Sequence, residues 1–314
     1  MLEKILAFYT RSFALWVILG GLVAYFWPAP FKLLGGCNKL FFALTMFGIG
    51  AVLNVEDFRR IVRNPGIVLI GSAAQFTIMP FGAFLVARML RLPDELTVGL
   101  ILTGAAPGAM SSNVMSYLAR ADTAYSVSLT TVSTLLCPIL TPGLTVLLAQ
   151  GTRLDVPFWG MMLDVILTVI APLFAGFAVR HYFGRRLEKV LPVFPAVSVT
   201  FIVFICSLVI ALNRERLAGL TALVLAATLI LNIGGMLAGY GVGSLFRMEV
   251  RRRRTLSIEI GMQNAGLGVV LALAHFGPQA TIPTAAFVFV CIITASIMAS
   301  IWQRRPVMPA AAGA

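Results

Sequence analysis

Residues 102–118 read LTGAAPGAMSSNVMSYL and residues 256–270 read LSIEIGMQNAGLGVV. Each is an apolar stretch interrupted near its middle by Gly or Pro followed by Ser, Asn or Gln. Pro107 removes a backbone donor and pushes Ala106 out of helical geometry, while Gly108, Gly261 and Gly266 loosen the flanking turns. Both stretches therefore read as broken helices. At membrane depth, irregular backbone is tolerated only where it is buried in protein or lines a watery cavity. Two half-helix N-termini facing such a cavity offer N–H groups and positive dipole ends, a seat for an anion. The plainer alternative is two kinks packed against their neighbours; the amides beside both breaks favour the cavity.

Outward from these stretches the chain stays apolar. Of its 314 residues 59% are hydrophobic and 11% charged, against about 25% charged in a soluble domain. A water-soluble core is excluded. Stretches long enough for about 20 helical residues fall near 12–27, 40–54, 66–87, 95–119, 123–149, 157–179, 191–212, 219–245, 255–276 and 282–302. The expectation is an all-α polytopic membrane protein with ten transmembrane helices and no soluble domain. The first run closes on Tyr25, Phe26 and Trp27 without a small-residue cleavage site, so it reads as a retained span. Cys37, Cys137, Cys206 and Cys291 lack metal-like spacing and read as small hydrophobes outside any disulfide.

The net charge of +12 resolves when the 24 Lys and Arg are placed on loops. Seventeen fall on one side: Lys4, Arg11, Arg59, Arg60, Arg63, Arg120, Arg180, Arg185, Arg186, Lys189, Arg247, Arg251 to Arg254, Arg304 and Arg305. The other seven, Lys32, Lys39, Arg88, Arg91, Arg153, Arg214 and Arg216, fall opposite. The positive-inside rule then puts both termini in the cytoplasm and the chain in the inner (cytoplasmic) membrane, multi-pass. The run 251–254 is a topology anchor that attracts anionic lipid headgroups, and nucleic acid is not a partner. Ten spans divide into five plus five, and an odd number per half forces opposite orientations. The expected units are two inverted repeats, 1–150 (spans 1–5) and 151–314 (spans 6–10), with broken helices 4 and 9 in matching positions, the sequence-level mark of a transporter site.

Glu259 lies beside the second break and is the clearest ionisable group near mid-membrane. Inserting it costs about 2.5–3.5 kcal/mol or more, and no Lys or Arg falls at comparable depth, so a bound cation or a transferred proton remains. Nearby oxygen donors suit a hard cation: Ser112 and Asn113 at the first break, Gln263 and Asn264 at the second, and Ser126, Thr130 and Ser133 along one helical face. Bonds within the helix are the other reading of those hydroxyls. Gln75 and Asn232 are buried amides in the spans before each break and must reach polar partners; for Asn232 an interhelical hydrogen bond suffices. Asp164 either titrates or reaches a polar neighbour or the interface. His181 and His275 fall at span ends, which leaves no histidine relay. HExxH, paired deep aspartates and a Ser–His arrangement are absent, so the chain is not read as an enzyme.

Residues 104–136, GAAPGAMSSNVMSYLARADTAYSVSLTTVSTLL, and 256–267, LSIEIGMQNAGL, resemble the two signature regions of the bile acid/sodium symporter family, in its bacterial branch. The resemblance implies crossed broken helices within a core domain of spans 3–5 and 8–10, beside a panel domain of spans 1, 2, 6 and 7. It implies one sodium among Ser112, Asn113, Ser126, Thr130 and Glu259. A second falls among Gln75, Glu259, Gln263 and the carbonyls of Ile260 and Met262. Substrate contacts are expected at Met110, Ser111, Asn264, Ala265 and Gly266, including free N–H groups from Ala265 to Leu267. The substrate region departs from the family: Gly108, Ala109 and Met110 replace a Gly-Gly-Thr run, Cys291 and Ile292 replace a His-Asn pair, and Leu231 and Asn232 are a reduced version of a similar pair.

These readings converge on a sodium-coupled secondary active symporter of an organic anion, a small carboxylate or a bile-acid-like molecule, working by alternating access. Two Na⁺ are coupling ions and no cofactor is expected. Partners are the anion, sodium and membrane lipids, and the chain is read as a monomer. The alternative is a proton-coupled or uncoupled exporter or uniporter, with Glu259 or Asp164 titrating.

Overall fold

The computed structural model describes residues 6, 9–10, 13–63, 65–187, 190 and 193–304. Lys4, Arg11, Lys189 and Arg305 of the loop charges lie outside the described residues. Among those described the fold is all-helical, without strands. In chain order the helices are α1 (Phe13–Phe26), α2 (Ala29–Leu33), α3 (Asn38–Gly50), α4 (Val55–Arg63), α5 (Pro65–Met89), α6 (Asp94–Ala105), α7 (Ser111–Leu118) and α8 (Thr123–Leu148). There follow α9 (Phe158–Val165), a π-helical turn (Ile166–Ile170), α10 (Ala171–Leu187), α11 (Val193–Leu245), α12 (Val250–Gly261), α13 (Ala265–His275) and α14 (Thr281–Gln303).

Among the described residues six helices are long and apolar enough to cross a membrane: Pro65–Met89, Thr123–Leu148, Phe158–Gly184, Val193–Glu215, Ala222–Leu245 and Thr281–Gln303. A seventh is reached if Gly35–Gly50 and Val55–Arg63, bent by 75°, count as one span. Of the ten spans expected, the remaining ones are not single long helices. Stretch 12–27 forms a helix of 14 residues, about 21 Å at 1.5 Å per residue. Stretches 95–119 and 255–276 are each split into two short helices.

Two further boundaries differ from the sequence reading. The loop expected between 212 and 219 is helical, so that α11 contains two crossing-length stretches within 53 residues. Segment 213–219, NRERLAG, holds no proline and five good helix formers, Arg214 to Ala218, so nothing forces the chain out of helical geometry. Its two stretches keep different company: Phe194, Phe201 and Phe204 stack near α3 and α2, whereas Gly235 and Gly239 press on Met79 of α5 and Leu256 of α12. The segment after α3 is also helical: Val55–Arg63 carries Glu56 and Asp57 in its first turn and Arg60 and Arg63 in its last, which complements the helix dipole. Phe58 anchors it on Phe177, ring centroids 5.3 Å apart.

Close backbone crossings hold the remaining helices. A Cβ at Gly50 would strike the Leu173 carbonyl, and one at Gly176 would strike the Phe47 carbonyl. Glycine at both points lets α3 and α10 touch backbone to backbone, the small-residue route to helix association in lipid. Helices α5 and α11 end at Met89 and Leu245, α6 and α12 begin at Asp94 and Val250, and α6 and α12 end at Ala105 and Gly261. The three pairs share one spacing of 156 positions. At the matching sites Arg91 and Arg247 adopt φ of 50° and 51°. Leu92 N–H and Met248 N–H reach back to Ala87 O and Gly243 O, closing each helix with the same left-handed cap.

Candidate ion-binding site

Helix α6 stops at Ala105 because Ala106, preceding Pro107, takes ψ of 154°; α12 stops at Gly261, with Met262 at ψ of 103°. The two extended segments then cross. Gly108 and Gln263 pair as an antiparallel bridge, with Ala109 N–H on Met262 O at 2.9 Å and Asn264 N–H on Pro107 O at 2.8 Å. Each break thereby satisfies the backbone groups that the other leaves open, which is how non-helical chain is accommodated at this depth. Gly108 N–H donates to Ser133 Oγ at 3.2 Å. A Cβ at Gly108 would fall against Glu259 Oε1, so the crossing needs glycine there for close approach.

Four helix ends meet at the crossing. The C-termini of α6 and α12 bring negative dipole ends and the N-termini of α7 and α13 bring positive ones. Glu259 sits two residues from the C-terminus of α12, adding a carboxylate where the dipole is already negative. Its partners are three hydroxyls: Ser112 donates to Oε2 at 2.5 Å, Ser126 to Oε2 at 2.8 Å, and Thr130 to Oε1. Ser112, Ser126 and Thr130 are fully buried and Glu259 is 2% exposed. Asn113 Oδ1 lies 3.4 Å from Thr130 Oγ1, and Ser116 donates to Ser126 Oγ at 3.3 Å. No ion pair joins Glu259 among the described residues. The third hydroxyl of the ladder, Ser133, serves the Gly108 backbone instead.

A second polar knot lies on the other side of α12. Gln75 of α5 donates through Nε2 to Gln263 Oε1 at 2.6 Å, and Gln263 Nε2 donates to Ile260 O at 3.0 Å. Gln75 Oε1 is buried without a hydrogen-bond partner. Met262 O is taken by Ala109 N–H, and the Glu259 carboxylate points to the hydroxyl cage, so Gln75, Gln263 and Ile260 form the tight part of this set. Asn232 donates to Gly261 O at 2.7 Å, tying α11 to the end of α12.

At the substrate positions Ser111 is exposed, Met110 and Asn264 are half-buried, and Ala265 and Gly266 are buried. Not all the N–H groups from 265 to 267 are free as expected. Ala265 N–H bonds Gln263 O at 2.8 Å and Leu267 N–H bonds Asn264 O at 3.0 Å, while Asn264 Oδ1 caps Leu267 N–H. Local capping competes for these donors because Asn264 occupies the N-cap. Gly266 presses on Phe42.

Of the alternatives open to Asp164, the structure shows a polar neighbourhood. It accepts from Lys39 Nζ at 2.7 Å on both oxygens and from His275 Nε2 at 2.8 Å. The histidine set aside at a span end is thus engaged. The three residues are 125 and 111 positions apart, and no local pattern signals their meeting. The four cysteines are free.

Residues 39–220 match the profile of the Sodium Bile acid symporter family. The chain is 38% identical over 305 residues to the uncharacterized sodium-dependent transporter YocS of Bacillus subtilis, covering 97% of this chain and 95% of that one. It is 35% identical over 297 residues to the probable sodium/metabolite cotransporter BASS1, chloroplastic, of Arabidopsis thaliana, covering 94% and 74%. To the human sodium/bile acid cotransporter 4 it is 29% identical over 263 residues, covering 81% and 60%. With crossed broken segments, a buried carboxylate and these relatives, which are named as transporters and not enzymes, the chain is a multi-pass membrane protein belonging to the sodium bile acid symporter family.

Proposed function

We propose that the protein is a sodium-coupled symporter of an organic anion. The observation that carries this is the Glu259 cage. Six oxygens, from Glu259, Ser112, Ser126, Thr130 and Asn113, gather around three hydroxyl protons with no cationic side chain paired to them among the described residues, beside two helix C-termini. Removing a carboxylate from water without a counter-charge is expensive, and an oxygen-only donor set of this size suits a hard cation. Gln75 Oε1, buried and unpartnered, supports a second sodium near Gln263 and the carbonyls of Ile260 and Met262. The N-termini of α7 and α13 supply the anion seat near Met110, Ser111 and Asn264.

In this reading each broken pair, α6–α7 and α12–α13, makes one crossing and α1 another, giving ten spans with both termini cytoplasmic. The 156-position recurrence supports two repeats, 1–150 and 151–314. Contacts of α3 with α10 and of α5 with α6, α8 and α11 support a panel (spans 1, 2, 6 and 7) beside a core (spans 3–5 and 8–10). Two sodium ions neutralise Glu259, order the crossing and stabilise the anion site; movement of core against panel then alternates access. A monoanion carried with two Na⁺ moves one net charge, worth about 2.3 kcal/mol at 100 mV. A tenfold sodium gradient adds about 1.4 kcal/mol per ion. About 5 kcal/mol in all supports accumulation by three to four decades.

Thermal-shift measurements on the purified protein with a panel of carboxylates test this. Sodium, and not potassium, is expected to raise the melting temperature, and one anion class to raise it further only in sodium. Glu259→Ala is expected to lose the sodium response, and Gln75→Ala to need about tenfold more sodium for it. An anion shift of equal size in potassium would refute the coupling.

A further inference from the structure

The Lys39–Asp164–His275 cluster lies away from Glu259 and joins three helices. Lys39 opens α3, Asp164 lies near the end of α9, and His275 closes α13, the second half of the broken helix. The side chains of Asp164 and His275 are 16% and 15% exposed, that of Lys39 44%. The polar groups facing one another are thus one carboxylate, one ammonium and one imidazole. Immediately after Asp164 the chain makes its π-helical turn, with Thr168 Oγ1 on Asp164 O at 2.6 Å. A π-turn inserts an extra residue and re-aims side chains, and such turns gather at functional sites.

The cluster sits over an apolar seal. A Cβ at Gly266 would lie 3.1 Å from Phe42 Cε2, and one at Gly160 3.3 Å from His275 Cε1. Helix α13 is buried from Ala265 to Ala272; it packs chiefly on α14 and α6, and α3 and α9 close on its remaining side. Its counterpart α7 packs chiefly on α8, α12 and α14 and leaves Val114 57% and Tyr117 72% exposed. These contacts close the crevice between α13 and α3, while on α7 Val114 and Tyr117 stay exposed.

We propose that Lys39, Asp164 and His275 form an ionic latch that holds the α13 end of the crevice shut, so that its strength sets the balance between the two access states. The proposal rests on the alternating-access reading above, which places this end outside. Opening must part His275 from Asp164. Water entering the gap rehydrates both groups, so the separation is reversible, and the half-exposed Lys39 keeps the latch weak enough to break. Loss of Asp164 leaves two donors without their carboxylate and favours the open arrangement.

The test is outside labelling of Phe42→Cys by a membrane-impermeant maleimide in a Cys37→Ser background, using right-side-out membrane vesicles in potassium medium. With the latch intact, labelling is expected to be slow; Asp164→Asn is expected to speed it about tenfold or more. The exchange Lys39→Asp with Asp164→Lys is expected to restore slow labelling, a rescue that general loosening of the fold does not give. If Asp164→Asn fails to insert, Lys39→Gln replaces it. Labelling at the parental rate in the neutralised variant, or a failed rescue in a charge-exchanged protein that still takes up substrate with sodium, overturns the latch. Absence of sodium-dependent uptake in the unmodified protein refutes the symporter reading, and the labelling rates still decide whether the cluster seals this end.

Discussion

Gly108→Ala adds one methyl group where the two broken helices cross. Its Cβ falls against Glu259 Oε1 and 3.6 Å from Ser133 Oγ. The carboxylate has to give way, and the oxygen displaced is the one that accepts from Thr130. A hydrogen bond to a charged group is worth about 1.5–3 kcal/mol. Losing one such contact in the ion cage corresponds to roughly ten- to hundredfold weaker sodium binding. The assay is the half-saturating sodium concentration, read from the sodium-dependent thermal shift and again from uptake. Gly143→Ala is the control: its Cβ meets only Phe158 at 3.7 Å, an ordinary contact. A Gly108→Ala protein with the sodium dependence of the Gly143→Ala control would refute the role given to the Glu259 cage.

Gln75→Ala removes the unpartnered Oε1 and the bond to Gln263; half-saturating sodium is expected to rise about tenfold, with the steepness of the sodium titration falling from about two ions towards one. Gly176→Ala drives a Cβ into the Phe47 carbonyl and is expected to lower stability by about 1–3 kcal/mol, seen as a lower melting temperature in detergent beside a Gly184→Ala control, whose added Cβ meets no neighbouring helix among the described residues. Arg120 ends α7 with φ of 52°; Arg120→Gly relieves that conformation and is expected to stabilise the protein by about 1 kcal/mol, read as a raised melting temperature with sodium dependence unchanged.

The two breaks were legible because Pro107, Gly108 and Gly261 act on their own backbone, whatever surrounds them. Ser126 and Thr130 were legible because helical spacing puts them on one face, and that face meets Glu259. Ser133 shares the face but lies one turn along, opposite the Gly108 backbone, a difference that spacing alone does not resolve. Nor does hydropathy reveal that the breaks pair with each other, since the Gly108–Gln263 bridge joins residues 155 positions apart. Asp164 stands out as a buried acid, but its partners Lys39 and His275 look like ordinary loop and span-end residues until three distant helices pack. The charges of Val55–Arg63 end the apolar run and so read as a loop, although their order suits a short helix. The helical stretch 213–219 shows the converse, in which a polar segment between two spans need not interrupt helical geometry.

Sodium coupling is tested most directly by uptake of the anion identified by thermal shift, in proteoliposomes given an inward gradient of sodium, potassium or protons in turn. Concentrative uptake is expected with sodium alone, and none in Glu259→Ala. Accumulation driven by a pH gradient in sodium-free medium, or persisting in Glu259→Ala, would contradict a sodium-loaded Glu259 as the coupling centre.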